Sequence, residues 1–146
     1  MRTLLIAISL IYFVAQGAAP QSHAGPDSPI VLSRENLAAL RDSPETQTIK
    51  NVLSKKTNCI NCAEIFKSAA NARSLMVVEK EANGFGGSFV LVVFAKTAKL
   101  YRFWLYPIDK NKHEFEIREA VVQRKLTNEL MSEITRKEYA NYWIRL

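Results

Sequence analysis

An unbroken apolar run at residues 89–95 constrains the fold of this chain more than any other feature of the sequence. A strand that alternates apolar and polar residues can leave one face in water. A strand that is apolar at consecutive positions needs cover on both faces. We therefore expect residues 89–95 to form a central strand, with the rest of a sheet built around it.

Three further segments have the character of strands. The four expected strands are residues 75–82, 89–95, 99–106 and 114–122. Residues 83–87, Asn-Gly-Phe-Gly-Gly, predict a hairpin turn, and Pro107 is expected to end the third strand. Phe115 and Ile117 alternate with charged residues, which is typical of an edge strand with one wet face. Helical spacing also fits this region, so residues 115–140 are alternatively one long helix.

Capping residues predict helices on either side of these strands. The expected starts are Ser33, the Ser43-Pro44-Glu45 sequence, Asn58 or Asn61, and Thr127. The order predicts an α+β fold: short N-terminal helices, a four-stranded antiparallel meander, and a C-terminal helix packed on the sheet. We expect the helices to lie on one face of that sheet.

The N-terminus has the pattern of a cleavable signal peptide. Arg2 precedes an apolar stretch at residues 4–15, which is too short to span a bilayer. Cleavage fits after Gly17 or, as we prefer, after Ala24. We expect a signal peptide at 1–24, a flexible mature N-terminus at 25–32 and one domain at 33–146. The mature chain is then secreted or periplasmic, without a transmembrane anchor.

The net charge of +6 comes from bases that are scattered along the chain, with acids close to most of them. A nucleic-acid-binding protein would concentrate its bases on one stripe. We therefore expect no nucleic acid among the partners, and a preference for acidic partners or an anionic envelope.

Cys59 and Cys62 are the only two cysteines. In an exported chain, two thiols at this spacing predict a structural disulfide. The spacing also occurs in thiol oxidoreductases, in which a helix N-terminus lowers the pKa of the first thiol. If Asn58 caps the third helix, Cys59 is the first residue of that helix, where the effect of the helix N-terminus on the thiol pKa is greatest. A polar loop rather than a strand precedes the pair, which favours the structural role. Free thiols and pairing between chains are the remaining alternatives.

Catalytic groups are scarce in the sequence. His113 is the single histidine of the mature chain, and no nucleophile motif accompanies it. Glu114 and Glu116 share one strand face, as a pair of catalytic carboxylates would, but any edge strand shows this alternation. We predict no catalytic residues, no metal ligands and no cofactor, so an enzyme is the less favoured class.

A crowded aromatic strand remains as the candidate site. Tyr101 and Phe103 fall on one face, and Arg102, Trp104 and Tyr106 fall on the other. Because Tyr, Trp and Arg dominate interface hot spots, we predict that Arg102, Trp104 and Tyr106 bind a protein partner. The alternative is that helices cover both faces. A second aromatic cluster, near the C-terminus, is expected to face the core; its members are Tyr139, Tyr142 and Trp143.

The predicted function is therefore an exported, soluble, non-enzymatic binding protein, such as an inhibitor or neutraliser of an envelope or extracellular enzyme. Two alternatives stay open. One is a thiol-disulfide protein that uses Cys59 and Cys62, and the other is an enzyme that uses carboxylates alone.

Overall fold

The computed structural model describes residues 29–53, 59 and 62–146. The predicted signal peptide, residues 25–28 of the predicted flexible N-terminus, and the candidate caps Asn58 and Asn61 lie outside the described residues. The helices are α1 (Arg34–Arg41), α2 (Pro44–Leu53), α3 (Cys62–Ala70) and α4 (Asn128–Ile134), with a 3₁₀ helix at Lys137–Tyr142. The strands are β1 (Ser74–Ala82), β2 (Ser88–Phe94), β3 (Lys99–Asp109), β4 (Glu114–Lys125) and β5 (Ile144–Arg145).

Hydroxyl side chains begin three of the helices, as the sequence predicts. Ser33 Oγ accepts a hydrogen bond from the backbone N–H of Asn36 at 3.4 Å. Ser43 Oγ accepts from the N–H of Thr46 at 3.2 Å, and Thr127 Oγ1 accepts from that of Leu130 at 3.2 Å. Each bond satisfies one of the backbone donors that a helix leaves unpaired in its first turn. The predicted caps at Ser33, Ser43 and Thr127 are therefore confirmed.

Only two residues, Asp42 and Ser43, separate α1 from α2. The backbone N–H of Ser43 donates to the carbonyl oxygen of Leu40 at 3.1 Å, and the hydroxyl of Thr46 donates to the same oxygen at 2.6 Å. The Ser43 hydroxyl donates in turn to Thr46 Oγ1 at 3.1 Å. These bonds hold the link between the two helices in one conformation.

The sheet has five strands in the order β4-β3-β2-β1-β5, and every pair is antiparallel. The α+β class and the four-stranded meander are confirmed, with β2 at the centre and β4 at one edge. The fifth strand was not predicted. It consists of Ile144 and Arg145, which pair with Leu75 and Ser74 on the outer side of β1. Two residues are too few to produce a periodic pattern.

The structure decides between the two alternatives for residues 115–140 and corrects the predicted end of β3. Residues 114–125 form a strand and α4 follows it, so the single long helix over 115–140 is wrong. Pro107 does not end β3, because β3 continues to Asp109 and Pro107 pairs with Phe115 of β4. The pairing of β2 with β3 stops at Leu105, so at Pro107 the strand has a neighbour on one side only, where a missing N–H is tolerated.

Two hydrophobic cores lie on opposite faces of the sheet. The first lies under α2 and α3 and contains Val90, Val92 and Phe94 of β2. The second lies under α1, α4 and the 3₁₀ helix, and contains Leu91 and Val93. The expectation that all helices lie on one face is therefore wrong. The physical reason is the apolar run in β2, which needs cover on both sides.

Cover on the second face is incomplete, and this positions the candidate site. Leu100 of β3 is buried in the second core, close to the start of the strand. Further along the same face, Arg102, Trp104 and Tyr106 are each partly exposed. The helices α1 and α4 therefore cover one end of this face and leave the other end accessible.

Candidate binding surface

Alternation along β3 separates a buried face from an accessible one. Tyr101, Phe103 and Leu105 are buried in the first core, at no more than 1 % exposure. Arg102, Trp104 and Tyr106 alternate with them and lie together on the opposite face. The structure thus brings the three predicted partner-binding residues together. Their role in binding stays a prediction.

Cross-strand neighbours extend this group into a surface. Arg102 pairs with Leu91 of β2 and Val121 of β4, while Trp104 pairs with Phe89 and Glu119. We call the accessible part of this sheet face the open face. Its charged and aromatic members are Glu79, Glu81, Phe89, Arg102, Trp104, Tyr106, Glu116, Arg118 and Glu119.

Two arginines of the open face stack on aromatic rings. The guanidinium carbon of Arg102 lies 3.7 Å from the centre of the Phe89 ring. That of Arg118 lies 3.6 Å from the centre of the Tyr106 ring, and Arg118 Nε also donates to Glu116 Oε1 at 2.7 Å. Such stacking attracts a cation to the negative face of the ring and holds both side chains in place. The open face is therefore ordered before any partner binds.

A register shift explains how Arg118 reaches Tyr106. Trp104 pairs with Glu119, but the next residue of β3, Leu105, pairs with Ile117. Arg118 is therefore an extra residue in β4 at a bulge, and a bulge redirects the side chains beside it. Nothing in the sequence marks the position of this bulge. Sequence reasoning consequently missed Arg118, as it missed Phe89 and Glu119.

The β1–β2 turn forms one end of the open face. Asn83 Oδ1 accepts hydrogen bonds from the N–H groups of Phe85 at 3.1 Å and Gly87 at 2.9 Å. Gly86 has φ +82°, which favours glycine, and a Cβ at Gly87 would collide with the carbonyl oxygen of Leu105. The predicted hairpin turn is confirmed. It holds the Phe85 side chain 76 % exposed.

An open cleft of about 430 Å³ lies between this turn and the open face. The side chains that shape it are Glu81, Asn83, Phe85, Phe89, Arg102 and Trp104. Asn83 is only 9 % exposed. Its Nδ2 and the indole Nε1 of Trp104 are buried without a hydrogen-bond partner among the described residues. An unpaired buried donor costs about 1–3 kcal/mol, so a hydrogen-bond acceptor at either group would be favourable.

The open face is acidic, although the chain as a whole is basic. It carries the carboxylates of Glu79, Glu81, Glu116 and Glu119 and the guanidinium groups of Arg102 and Arg118, against a net charge of +6 for the chain. Burial raises the pKa of Glu79, and repulsion from Glu81 raises it further, while Arg102 acts in the opposite direction. The open face itself thus carries four carboxylates and two guanidinium groups, and the Lys110 ammonium lies beside Gly86 in the neighbouring turn.

The other candidate groups lie apart from the cleft. His113 is exposed in the β3–β4 turn, where it has φ +53°, and Glu114 is exposed beside it. Glu116 is paired with Arg118 at 2.7 Å. Within residues 29–53, 59 and 62–146, no three His, Cys, Asp or Glu side chains lie close enough together to hold a metal ion.

Cys59 and Cys62 lie at disulfide-bonding distance, with their Cα atoms 5.3 Å apart. Cys62 is the first residue of α3 and is 1 % exposed, whereas Cys59 precedes the helix and is partly exposed. The helix N-terminus therefore lies at Cys62 and not at Cys59. Among the described helices, none has the length and apolar character that crossing a bilayer requires.

The C-terminal aromatic cluster packs against the second core. Tyr139 is buried there, and Tyr142 and Trp143 contact it from the surface. The indole N–H of Trp143 donates to the carbonyl oxygen of Ile134 at 2.9 Å. Trp143 is thus a structural residue, in contrast to Trp104.

The fold and the open face define an α+β domain whose central sheet carries α2 and α3 on one face and is only partly covered by α1, α4 and the 3₁₀ helix on the other. Comparison with protein-family models, with curated proteins and with solved structures finds no match for this chain.

Proposed function

We propose that this chain is an exported, non-enzymatic binding protein that docks a protein partner on its open face. The observation that supports the proposal best is the position of Arg102, Trp104 and Tyr106. They lie side by side on a regular strand, outside both cores, and belong to the residue types that dominate interface hot spots. An inhibitor or neutraliser of an envelope or extracellular enzyme would use such a surface.

Preorganisation favours a role in binding. The stacked pairs Arg102–Phe89 and Arg118–Tyr106 already hold long side chains in one geometry. A partner that docks on them loses less side-chain entropy than it would on a mobile surface. A surface built on strands also keeps its shape better than one built on loops.

Export is supported by the signal-peptide pattern at residues 1–24 and by the cysteine pair. Disulfides persist in oxidising compartments and are rare in the cytosol. Cys59 and Cys62 lie at the distance that such a bond requires. A secreted or periplasmic location is consistent with both features.

Affinity capture from the protein's own compartment, followed by titration with purified variants, tests the proposal. We expect Trp104→Ala or Arg102→Ala to weaken binding of the captured partner by about 30-fold, the equivalent of about 2 kcal/mol. Val31→Ala is the matched control, because it truncates an apolar side chain that is 76 % exposed and lies in the segment before α1. Unchanged affinity in correctly folded Trp104 and Arg102 variants would contradict the proposal.

A thiol-disulfide protein is the second candidate. The observation that favours it is the unequal exposure of the pair, with a partly exposed Cys59 and a buried Cys62 at the start of α3. An accessible sulfur can be attacked by a substrate thiolate. An insulin-reduction assay with the natural chain and Cys59→Ser separates the two roles, because only a thiol-disulfide protein would lose activity on substitution.

A further inference from the structure

Trp104 lies between two aromatic rings that each stack with an arginine, but no cation stacks on its own ring among the described residues. On either side of it, Phe89 carries the guanidinium of Arg102 and Tyr106 carries that of Arg118. Indole is the strongest of the aromatic rings in attracting a cation, so the ring best suited to this contact is the one left without it.

Carboxylates lie on both sides of Trp104. Glu119 pairs directly with Trp104 across the β3–β4 ladder, and it forms no hydrogen bond or ion pair with any other described residue. Glu81 lies in the same cross-strand row, one strand beyond Phe89. Side chains in direct cross-strand register stand about 5 Å apart at Cβ, so a group placed on Trp104 is within reach of Glu119.

The charge of the open face favours a cation as well. Its two guanidinium groups already stack on rings, and they share this face with four carboxylates, of which Glu79 and Glu81 line a pocket with Arg102 and Glu116 pairs with Arg118. Burial and the charge of Glu81 raise the pKa of Glu79, and a cation bound nearby would lower this pKa again. The cleft of about 430 Å³ beside Trp104 leaves room for a long side chain.

We propose that the partner contacts the open face through an extended peptide segment, and that an arginine of this segment stacks on Trp104 and pairs with Glu119. This inference rests on the proposed function and adds the chemistry of the partner. It differs from the expectation drawn from net charge, which favoured acidic partners, because the charge of the open face has the opposite sign to that of the chain.

A pair of synthetic peptides tests this directly. Acetyl-Gly-Arg-Gly-Arg-Gly-amide is titrated into the full chain, up to about 20 mM, so that a Kd of a few millimolar is measurable. Its control has citrulline at both arginine positions, which preserves the shape and removes the charge. The chain has two tryptophans, so its indole N–H resonances report separately on Trp104 and Trp143. Trp143 serves as the internal control, since its N–H is bonded to Ile134.

We expect the arginine peptide to shift the Trp104 resonance in a saturable way, to leave Trp143 unchanged, and to bind about fivefold more tightly than the citrulline peptide. Glu119→Gln should abolish most of that preference. Glu129→Gln, which removes an exposed charge from α4, should preserve it. Equal binding of the two peptides, or no shift at Trp104, would overturn the inference.

The outcomes also separate this inference from the proposed function. If a captured partner depends on Trp104 but not on Glu119, the surface binds a protein and the arginine contact is wrong. If the arginine peptide binds as expected and no captured partner depends on Trp104, the arginine site is correct and the proposed role in protein binding fails.

Discussion

Two neighbouring residues of β3 give the sharpest test of the open face. Phe103 is fully buried in the first core, and its replacement by Ala should cost about 3–5 kcal/mol of stability. Trp104 is larger but partly exposed and belongs to neither core. We therefore expect Trp104→Ala to cost much less than Phe103→Ala, although it removes more atoms.

The cost of Trp104→Ala follows from its contacts. The ring lies 6.0 Å from that of Phe89, centre to centre, and losing such a pair costs about 0.5–1.5 kcal/mol. Loss of the partly buried ring surface adds a comparable amount. Against this, the substitution removes a buried indole N–H that has no hydrogen-bond partner among the described residues, which recovers up to about 1–3 kcal/mol. The expected net cost is about 1 kcal/mol or less.

Urea unfolding of the two variants measures the difference. A gap of about 3 kcal/mol separates their midpoints by about 1–3 M of urea, which is well resolved. Trp104→Phe is the control, because it keeps an aromatic ring, although a smaller one than the indole, and removes the N–H. It should be as stable as the natural chain or slightly more so. If Trp104→Ala proves as damaging as Phe103→Ala, the ring is part of a core and the open face is not a binding surface.

Three further predictions follow from the titration of Glu79, the cysteine pair and the N-terminus. The pKa of Glu79 is higher in the folded chain than the ordinary value of 4.5. The folded state is therefore destabilised as pH rises from about 4.5 through the raised pKa and the carboxyl ionises. Glu79→Gln should therefore gain thermal stability over the natural chain at neutral pH and lose this advantage below about pH 4; an advantage independent of pH would contradict the cause given. Replacing Cys59 and Cys62 with Ser should lower the free energy of unfolding by about 2 kcal/mol or less, because the loop they close is very short, and should leave partner binding intact. Free thiols in protein purified from its own compartment would remove the basis for this. Intact-mass measurement of the exported chain should show a start near Gly25, and retention of residues 1–17 would refute the signal peptide.

Local signals in the sequence predicted most of the helices and strands because they depend on neighbouring residues. Ser33 and Thr127 are caps whose hydroxyls bond three residues ahead, and the apolar run in β2 needs no distant partner to be recognised. Features that depend on distant residues were missed or placed wrongly. β5 exists only because Ile144 meets Leu75, and Pro107 is tolerated only because β2 ends beside it.

In the candidate site, too, the features that depend on neighbouring residues were predicted and those that depend on distant residues were not. Alternation placed Arg102, Trp104 and Tyr106 on one face, since a strand has a period of two. Their exposure depends on where α1 and α4 stop, and the stacking of Arg118 on Tyr106 depends on a bulge between β3 and β4. Neither can be derived from the residues of β3. The same holds for Glu119, whose importance comes only from its pairing with Trp104.

The two-residue link between α1 and α2 has a consequence for how the domain melts. Helix α1 contributes Leu37 to the second core and α2 contributes Ile49 to the first, and a link of two residues spans only about 10 Å even when extended. Neither α1 nor α2 can therefore detach from the sheet without displacing the other helix. We expect one calorimetric transition for both layers. A molecule bound at the open face should accordingly slow amide hydrogen exchange in α2, on the far side of the sheet, at sites that exchange by global unfolding.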